Sequence, residues 1–289
     1  MSASASIVVL TTGGRDAELS ELVRSIGDVS AERLLIVNGD EKVKVPDEME
    51  LNSWQVHRTG ANLGIPRGRN IGATIAAGDI VFFLDDDATV RTPDLVGRTV
   101  EMFDENQSLG AVGFRLVVRG TGRSLRRWSP RIGGRTPEVS GQVTSFPGGA
   151  CAVRRSAWQA VDGLCGEFFY ALEETDFAWR LLDAGWDVTY EADLVMDHPD
   201  TLTTRHSAAI RQTARNRVWL ARRNLPAPLA AAYVLVWAAY SSASDRSIAG
   251  FKALVEGSRE GLASLPGERN PIRWATVWNM TRRGRPPIF

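Results

Sequence analysis

Along the first third of the chain, short apolar runs alternate with stretches of helical spacing. Residues 6–12 (SIVVLTT) form a β-branched run closed by Gly13-Gly14, which predicts a buried strand opening into a glycine turn. Leu19, Leu22, Val23 and Ile26 recur at helical spacing within 18–26, and 34–37 (LLIV) repeats the strand signal before stopping at Asn38-Gly39. Residues 41–53 are polar and predict a loop. A helix is then expected over 71–77, a fully buried strand over 80–84 (IVFFL), and a further helix over 93–103 with Pro93 near its first turn. Strands alternating with helices imply an α/β fold built on a mixed, mostly parallel sheet flanked by helices. Ligands of such sheets gather outside the carboxyl ends of the strands, where both Gly13-Gly14 and Asp85-Asp86-Asp87 fall.

The second half changes character. Residues 119–135 are rich in Gly, Arg and Ser with little periodicity and predict a long loop, a candidate mobile cover for the site. From residue 208 onward the pattern is strongly helical. Within 205–223, Ile210, Ala214, Val218 and Ala221 share one face while Arg211, Arg215 and Arg222 surround the other. The chain is therefore expected to divide into a domain over 1–204 and a helical extension over 205–289.

The longest apolar run, 229–240, falls short of the roughly 18 residues of a spanning helix. Two readings of it stay open. It is a core-packing helix with a solvated or ion-paired arginine face, or an interfacial surface in which Arg205, Arg211, Arg215, Arg217, Arg222 and Arg223 meet anionic headgroups beside Trp237.

Composition narrows the class. A chain of 289 residues with 44% hydrophobic and 24% charged residues can bury a sizeable core. Lys and Arg number 34 and Asp and Glu number 34, so no global field draws nucleic acid, and any polyanion must be held locally. Two cysteines, Cys151 and Cys165, make neither a disulfide framework nor a zinc-ligand spacing and fit a reducing, cytoplasmic setting. The start of the chain lacks a basic segment and an apolar stretch long enough for a signal peptide.

Three features carry chemistry. Asp85, Asp86 and Asp87 directly follow a buried strand, where adjacent carboxylates repel unless a cation or hydrogen-bond donors offset them. Magnesium or manganese takes such oxygen ligands and shares them with substrate phosphates. The alternative is an acidic turn capping the next helix, which needs one Asp rather than three. Glu173-Glu174-Thr175-Asp176 opens a helix, a placement that the helix dipole alone explains. The apolar approach over 168–172 (FFYAL) nevertheless would raise the pKa of a nearby carboxylate and suit it to general-base work. His198, judged singly, reads as structural.

Taken together, these segments resemble the family-2 glycosyltransferases of the GT-A fold, over roughly residues 6–225. Asn62-Leu63-Gly64 through Arg69-Asn70-Ile71-Gly72, followed by Gly78-Asp79 and Phe83-Leu84-Asp85-Asp86-Asp87, looks like that family's NLG...RNxG block running into its DxD motif. Pro147-Gly148-Gly149-Ala150 resembles the acceptor-side segment. Glu173-Glu174-Thr175-Asp176-Phe177 with Trp179-Arg180 looks like the ED helix.

The resemblance implies a transferase acting on a nucleoside diphosphate sugar with a divalent metal, Mg or Mn, inverting the anomeric centre by single displacement. It implies Asp85, Asp87 and His198 as metal ligands, His198 matching the position of a ligand in galactofuranosyltransferases and bacterial rhamnosyltransferases. It also implies that Thr11, Thr12, Gly13, Arg15, Asn38, Asn62, Arg69, Asn70, Asp85 and Asp86 line the donor site. Glu174 stands where the family's catalytic base is usually Asp, with Glu173 as the possible substitute. The segment from Arg215-Asn216-Arg217 to Leu225-Pro226 resembles family members acting on lipid-linked or cell-envelope acceptors, which implies peripheral association with the inner face of the plasma membrane.

Other classes remain in view. Asp85-Asp86-Asp87-Ala88-Thr89 formally satisfies the DxDxT pattern of haloacid dehalogenase-like phosphohydrolases, with Asp85 as nucleophile. That pattern normally ends the first strand of its domain, whereas two βα units precede it here. Gly13-Gly14-Arg15 is a faint echo of a nucleotidyltransferase signature, and a non-catalytic glycan- or nucleotide-binding module would predict a damaged acid motif.

Overall fold

A computed structural model describes residues 2–47, 53–130, 136–200, 207–245 and 247–288. Its strands are β1 (Ala5–Thr11), β2 (Glu32–Val37), β3 (Gln55–Arg58), β4 (Ile80–Asp85), β5 (Thr89–Val90), β6 (Leu109–Val118), β7 (Gly141–Gln142), β8 (Ala150–Arg154) and β9 (Asp187–His198). They form one sheet in the order β3-β2-β1-β4-β8-β6-β9-β5, with β7 pairing β9. β3, β2, β1 and β4 run parallel, as do β6 and β9, while β8 lies antiparallel between β4 and β6.

Helices cover both faces of the sheet. Alternation along β1 sends Ile7 and Val9 to one side and Val8 to the other, and β4 divides Phe82 from Phe83 in the same way. The first side packs on α1 (Asp16–Ile26) and, after α2 (Ile65–Ile75), on α3 (Leu95–Glu105). On the second side, α2 and, after the short α4 (Arg155–Ala160), α5 (Glu173–Asp183) bury Ala73, Phe177 and Leu181. That core continues without a break into α6 (Ser207–Asn224), α7 (Ala227–Ser244) and α9 (Trp274–Arg282) through Trp219, Leu220, Tyr233 and Met280, while α8 (Ile248–Ala263) packs along α6. The expected boundary at 204/205 lies outside the described residues.

Three local expectations change. The helix expected over 71–77 begins at Ile65, because Gly68 and Gly72 are close-approach positions. A Cβ at Gly68 would lie 2.4 Å from Leu10, and one at Gly72 the same distance from Val8. The polar stretch after β2 leads into edge strand β3, whose residues are mostly exposed. Within the loop expected over 119–135, of which 131–135 lie outside the described residues, Arg126–Trp128 forms a 3-10 turn. Arg119 ties the loop's start to the Asp87 carbonyl at 2.9 Å and to Glu21.

The arginines of α6 make no free cationic face. Arg211 pairs with Glu260 and Glu256, Arg222 donates to the carbonyls of Gly261 and Leu262, and Arg223 meets Asp176 at 3.0 Å. Arg215 and Arg217 lie over the rings of Trp219 and Trp237 at 4.2 and 3.5 Å. These side chains thus have acceptors or rings within the fold, Arg211 while still half exposed; Arg205 lies outside the described residues. No helix among the described residues is long and apolar enough to cross a membrane.

Candidate active site

The carboxyl ends of β1, β4 and β9 bring the acidic triplet together with its partners. Parallel pairing of β1 with β4 places Leu10 opposite Asp85, so the next residues, Thr11 and Asp86, are neighbours. Thr11 Oγ1 donates to Asp86 Oδ2 at 2.7 Å, and Arg15, from the turn after β1, donates to Asp86 Oδ1 at 2.7 Å. Arg15 also reaches Asp87 Oδ2 at 2.8 Å. Asp86 is buried, and burial pushes its pKa up against the pull of these two donors.

His198, the last residue of β9, arrives beside the triplet by antiparallel pairing of β9 with β5. Its Nε2 lies 3.3 Å from Asp87 Oδ1, while Nδ1 lies 2.8 Å from the Pro199 carbonyl. An Nδ1–H donated to that carbonyl selects the tautomer whose Nε2 lone pair faces a carboxylate, an arrangement that calls for a cation between them. Asp85, Asp87 and His198 offer ligand atoms within 4.8 Å of one another. Two carboxylates and one imidazole suit Mn or Mg, so these residues fit a divalent metal.

Gly149 makes room for this arrangement. Its carbonyl accepts the Asp85 N–H at 2.9 Å, and a Cβ built on it would lie 1.9 Å from the Asp85 carboxylate. Any side chain there would displace Asp85.

Buried Arg69 on α2 ties the triplet to the second acidic pair: it donates to Asp85 Oδ1 at 2.9 Å and lies 3.8 Å from Glu173 Oε1. The approach to that pair is an unusual turn. Phe169, Ala171 and Leu172 have φ of 64, 69 and 71°, a left-handed region that costs non-glycine residues energy unless the surroundings compel it. Asn216 of α6, fully buried, supplies the restraint by donating to the carbonyls of Phe168, Tyr170 and Ala171. Asp176, one turn into α5, is buried between Arg180, Arg223 and Asn224, which hold its pKa down despite burial; it is a structural tie.

Glu173 and Glu174 differ in surroundings. Glu173 is buried, its Oε2 has no hydrogen-bond partner, and burial followed by repulsion from Glu174 pushes its pKa up to about 8 against the attraction of Arg69. Burial raises Glu174 as well, so the two acids at the head of α5 titrate as one interacting pair. Half-buried Glu174 lines a cavity of about 320 Å³ together with Trp128, whose ring meets the His198 ring edge-on at 5.2 Å.

A pH dependence follows. Relative to its ordinary value of 4.5, Glu173 is easier to fold protonated, so the stability it contributes is full below about pH 4.5 and is lost as pH rises towards about 8. Glu173→Gln, neutral throughout, is expected to gain stability relative to the native chain between pH 5 and pH 9 in urea melts. A stability difference that stays constant with pH would show that Glu173 is not a buried, protonated acid.

Not every residue expected to line the donor site bonds to the acidic triplet. Asn70 turns away, donating to the Leu164 carbonyl at 2.7 Å and accepting from its N–H at 2.9 Å, so it fastens α2 to the segment after α4. Asn38, buried at the end of β2, donates to the Gly64 carbonyl and accepts from the Leu63 N–H, and Asn62 Oδ1 accepts from the Gly64 N–H. These amides shape the loop before α2. Thr12 is exposed beside Gly13, whose N–H donates to Thr11 Oγ1. Gly149, Trp128 and Asn216 belong to the site's construction yet were not among its expected residues; Gly149 and Asn216 lay in segments that carried a family resemblance, and Trp128 had no sequence signal.

Residues 7–162 match the family model described as "Glycosyl transferase family 2". The chain belongs to that family. This membership displaces the phosphohydrolase and nucleotidyltransferase alternatives. Over 119 residues the chain is 33% identical to the glucosyl-dolichyl phosphate glucuronosyltransferase of Haloferax volcanii, a match covering 39% of this chain and 38% of that protein.

Solved structures share the fold. GalNAc-T7 with UDP, GalNAc and Mn2+ aligns with a TM-score of 0.67 at 13% identity, covering 99% of this chain and 59% of that one. The mannosyltransferase PcManGT of Pyrobaculum calidifontis, in complex with GDP-Man and Mn2+, gives 0.57 at 15% identity over 97% and 84%. TarS of S. aureus with UDP-GlcNAc gives 0.63 at 12% identity over 91% and 82%. The expected GT-A architecture, a mostly parallel sheet flanked by helices with further helices at the C-terminal end, is the observed one.

Proposed function

We propose that this protein is an inverting, metal-dependent glycosyltransferase that moves a sugar from a nucleoside diphosphate donor onto an acceptor hydroxyl. The observation that carries the reading is the bridge made by Arg69, which sets the Asp85, Asp87 and His198 cluster beside the Glu173–Glu174 pair. A cation-binding set next to a base is what such a transfer requires.

Asp85, Asp87 and His198 would hold the divalent ion, which when bound offsets charge on the departing diphosphate. Thr11 and Arg15 orient Asp86, and the turn through Thr12 and Gly13 borders the nucleoside side. Asn38 and Asn62 act through the loop they shape, and Asn70 through the seating of α2. Glu174, the member of the pair that lines the cavity, takes the proton of the acceptor hydroxyl as that oxygen attacks the face opposite the leaving group. The glucuronosyltransferase of Haloferax volcanii and the nucleotide sugars bound by PcManGT and TarS support this donor class, and the glucosyl-dolichyl phosphate in the relative's name favours a lipid-linked or cell-envelope glycan as acceptor.

The test is thermal: melting the chain with UDP-, GDP- and dTDP-sugars, with and without manganese. One donor at about 100 times its Kd should stabilise by about 2.7 kcal/mol, a rise of about 5 °C or more, and only with the metal. No stabilisation by any nucleotide sugar would defeat the donor assignment.

A further inference from the structure

The cavity beside Glu174 holds more positive charge than its surroundings neutralise. Arg217 of α6 and Arg285, just past α9, both line it, and among the described residues neither has a carboxylate within 4.0 Å. Arg127, on the same wall, contrasts with them by pairing with Asp200 at 2.6 Å. Arg285 donates only to neutral acceptors, the Pro130 carbonyl and Ser145 Oγ. Arg217 stands 3.5 Å over the Trp237 ring, with the Tyr233 hydroxyl as its hydrogen-bonding neighbour. A guanidinium carries five N–H donors, and these partners leave several unused.

Burial lowers the pKa of both guanidiniums; Tyr233 and Glu174 pull that of Arg285 part of the way back, and Arg217 opposes them by like-charge repulsion, so one carboxylate serves two cations. Two desolvated cations held within range of each other are costly unless an anion joins them. The same wall contains unpaired neutral donors: Trp237 Nε1 and Ser129 Oγ are buried and have no hydrogen-bond partner. Guanidinium pairs, an indole N–H and a hydroxyl together match the acceptor oxygens of a phosphate or carboxylate.

We propose that this cavity is a receptor for an anionic group, a phosphate or a carboxylate, carried by the acceptor substrate, with Arg217 and Arg285 as its principal contacts and Trp237 and Ser129 as supporting donors. The assignment to the acceptor rests on the glycosyltransferase reading: the cavity borders Glu174, which there receives the acceptor's proton, whereas the donor diphosphate belongs at the Asp85, Asp87 and His198 cluster. Anchoring an anion in the cavity that the base lines would orient one hydroxyl of the acceptor for attack and favour charged acceptors over uncharged ones.

Three tryptophans, Trp128, Trp179 and Trp237, line the cavity and report its occupancy through intrinsic fluorescence. The intact chain, freed of metal and without nucleotide, is titrated with inorganic phosphate, with glucuronate and with glucose, at constant ionic strength. A saturable change with phosphate or with glucuronate, and none with glucose, is expected. Response to phosphate alone assigns a phosphorylated acceptor, and response to glucuronate alone a uronic acid.

Arg285→Gln and Arg217→Gln should each weaken the responsive anion about tenfold or more, as for the loss of a charge-assisted hydrogen bond. Because Arg217→Gln also removes packing on Trp237, Ser129→Ala serves as a second probe, with weaker binding at an unchanged melting temperature. No saturable anion response, or one of undiminished affinity in both arginine variants, would overturn the proposal. The titration contains neither donor nor metal, so its failure leaves the transfer reading standing, and failure of donor stabilisation leaves the anion site standing.

Discussion

Asp87→Ala is expected to abolish transfer and to weaken donor binding only when the metal is present. Asp87 is the hinge of the cluster: one oxygen faces His198 at 3.3 Å and the other Arg15 at 2.8 Å. Removing it takes away a ligand of the ion and leaves Arg15 bound to Asp86 alone. Offsetting charge on a leaving diphosphate supplies several kcal/mol of the barrier reduction, so turnover should fall about a thousandfold or more. A chelator applied to the native chain should reproduce the loss, and titrating the donor by calorimetry with and without manganese separates a metal effect from a direct contact. Full activity with a chelator present would remove the metal from the mechanism.

The strength of the sequence signals tracks burial. β1, β2 and β4 are apolar runs because both faces of a parallel sheet are covered, and their ends place Thr11 and Asp85 where ligands gather. β3 escapes notice because QVHR lies exposed at the sheet edge and carries no apolar signal. The start of α2 is hidden for a different reason: Pro66, Gly68 and Gly72 read locally as turn residues, yet the glycines are there so that the helix can touch Val8 and Leu10. The sequence does not show that the amides of Asn70 and Asn38 bond to backbone groups of other segments. His198 is mute alone, since its meaning depends on β9 ending beside β4's extension more than a hundred residues away in sequence. Arg217 shows nothing of its role in the sequence for the same reason: only tertiary structure sets it beside Arg285 in one cavity.

Glu174→Gln tests the second half of the site. It should leave donor affinity almost unchanged, because Glu174 makes no contact with the Asp87 and His198 pair, while cutting turnover about a hundredfold or more, the usual loss when a general base is removed. The neighbouring acid supplies the control. Glu173 is buried and faces Arg69, whereas Glu174 lines the cavity. Glu173→Gln should therefore retain a larger share of kcat and reveal itself in the pH dependence of stability instead. The two variants are compared by initial rates at saturating donor and acceptor, alongside donor titrations that confirm an intact metal cluster. If Glu173→Gln loses turnover a hundredfold and Glu174→Gln does not, the proton is taken by the buried acid, and the cavity that Glu174 lines is not where the acceptor hydroxyl is activated.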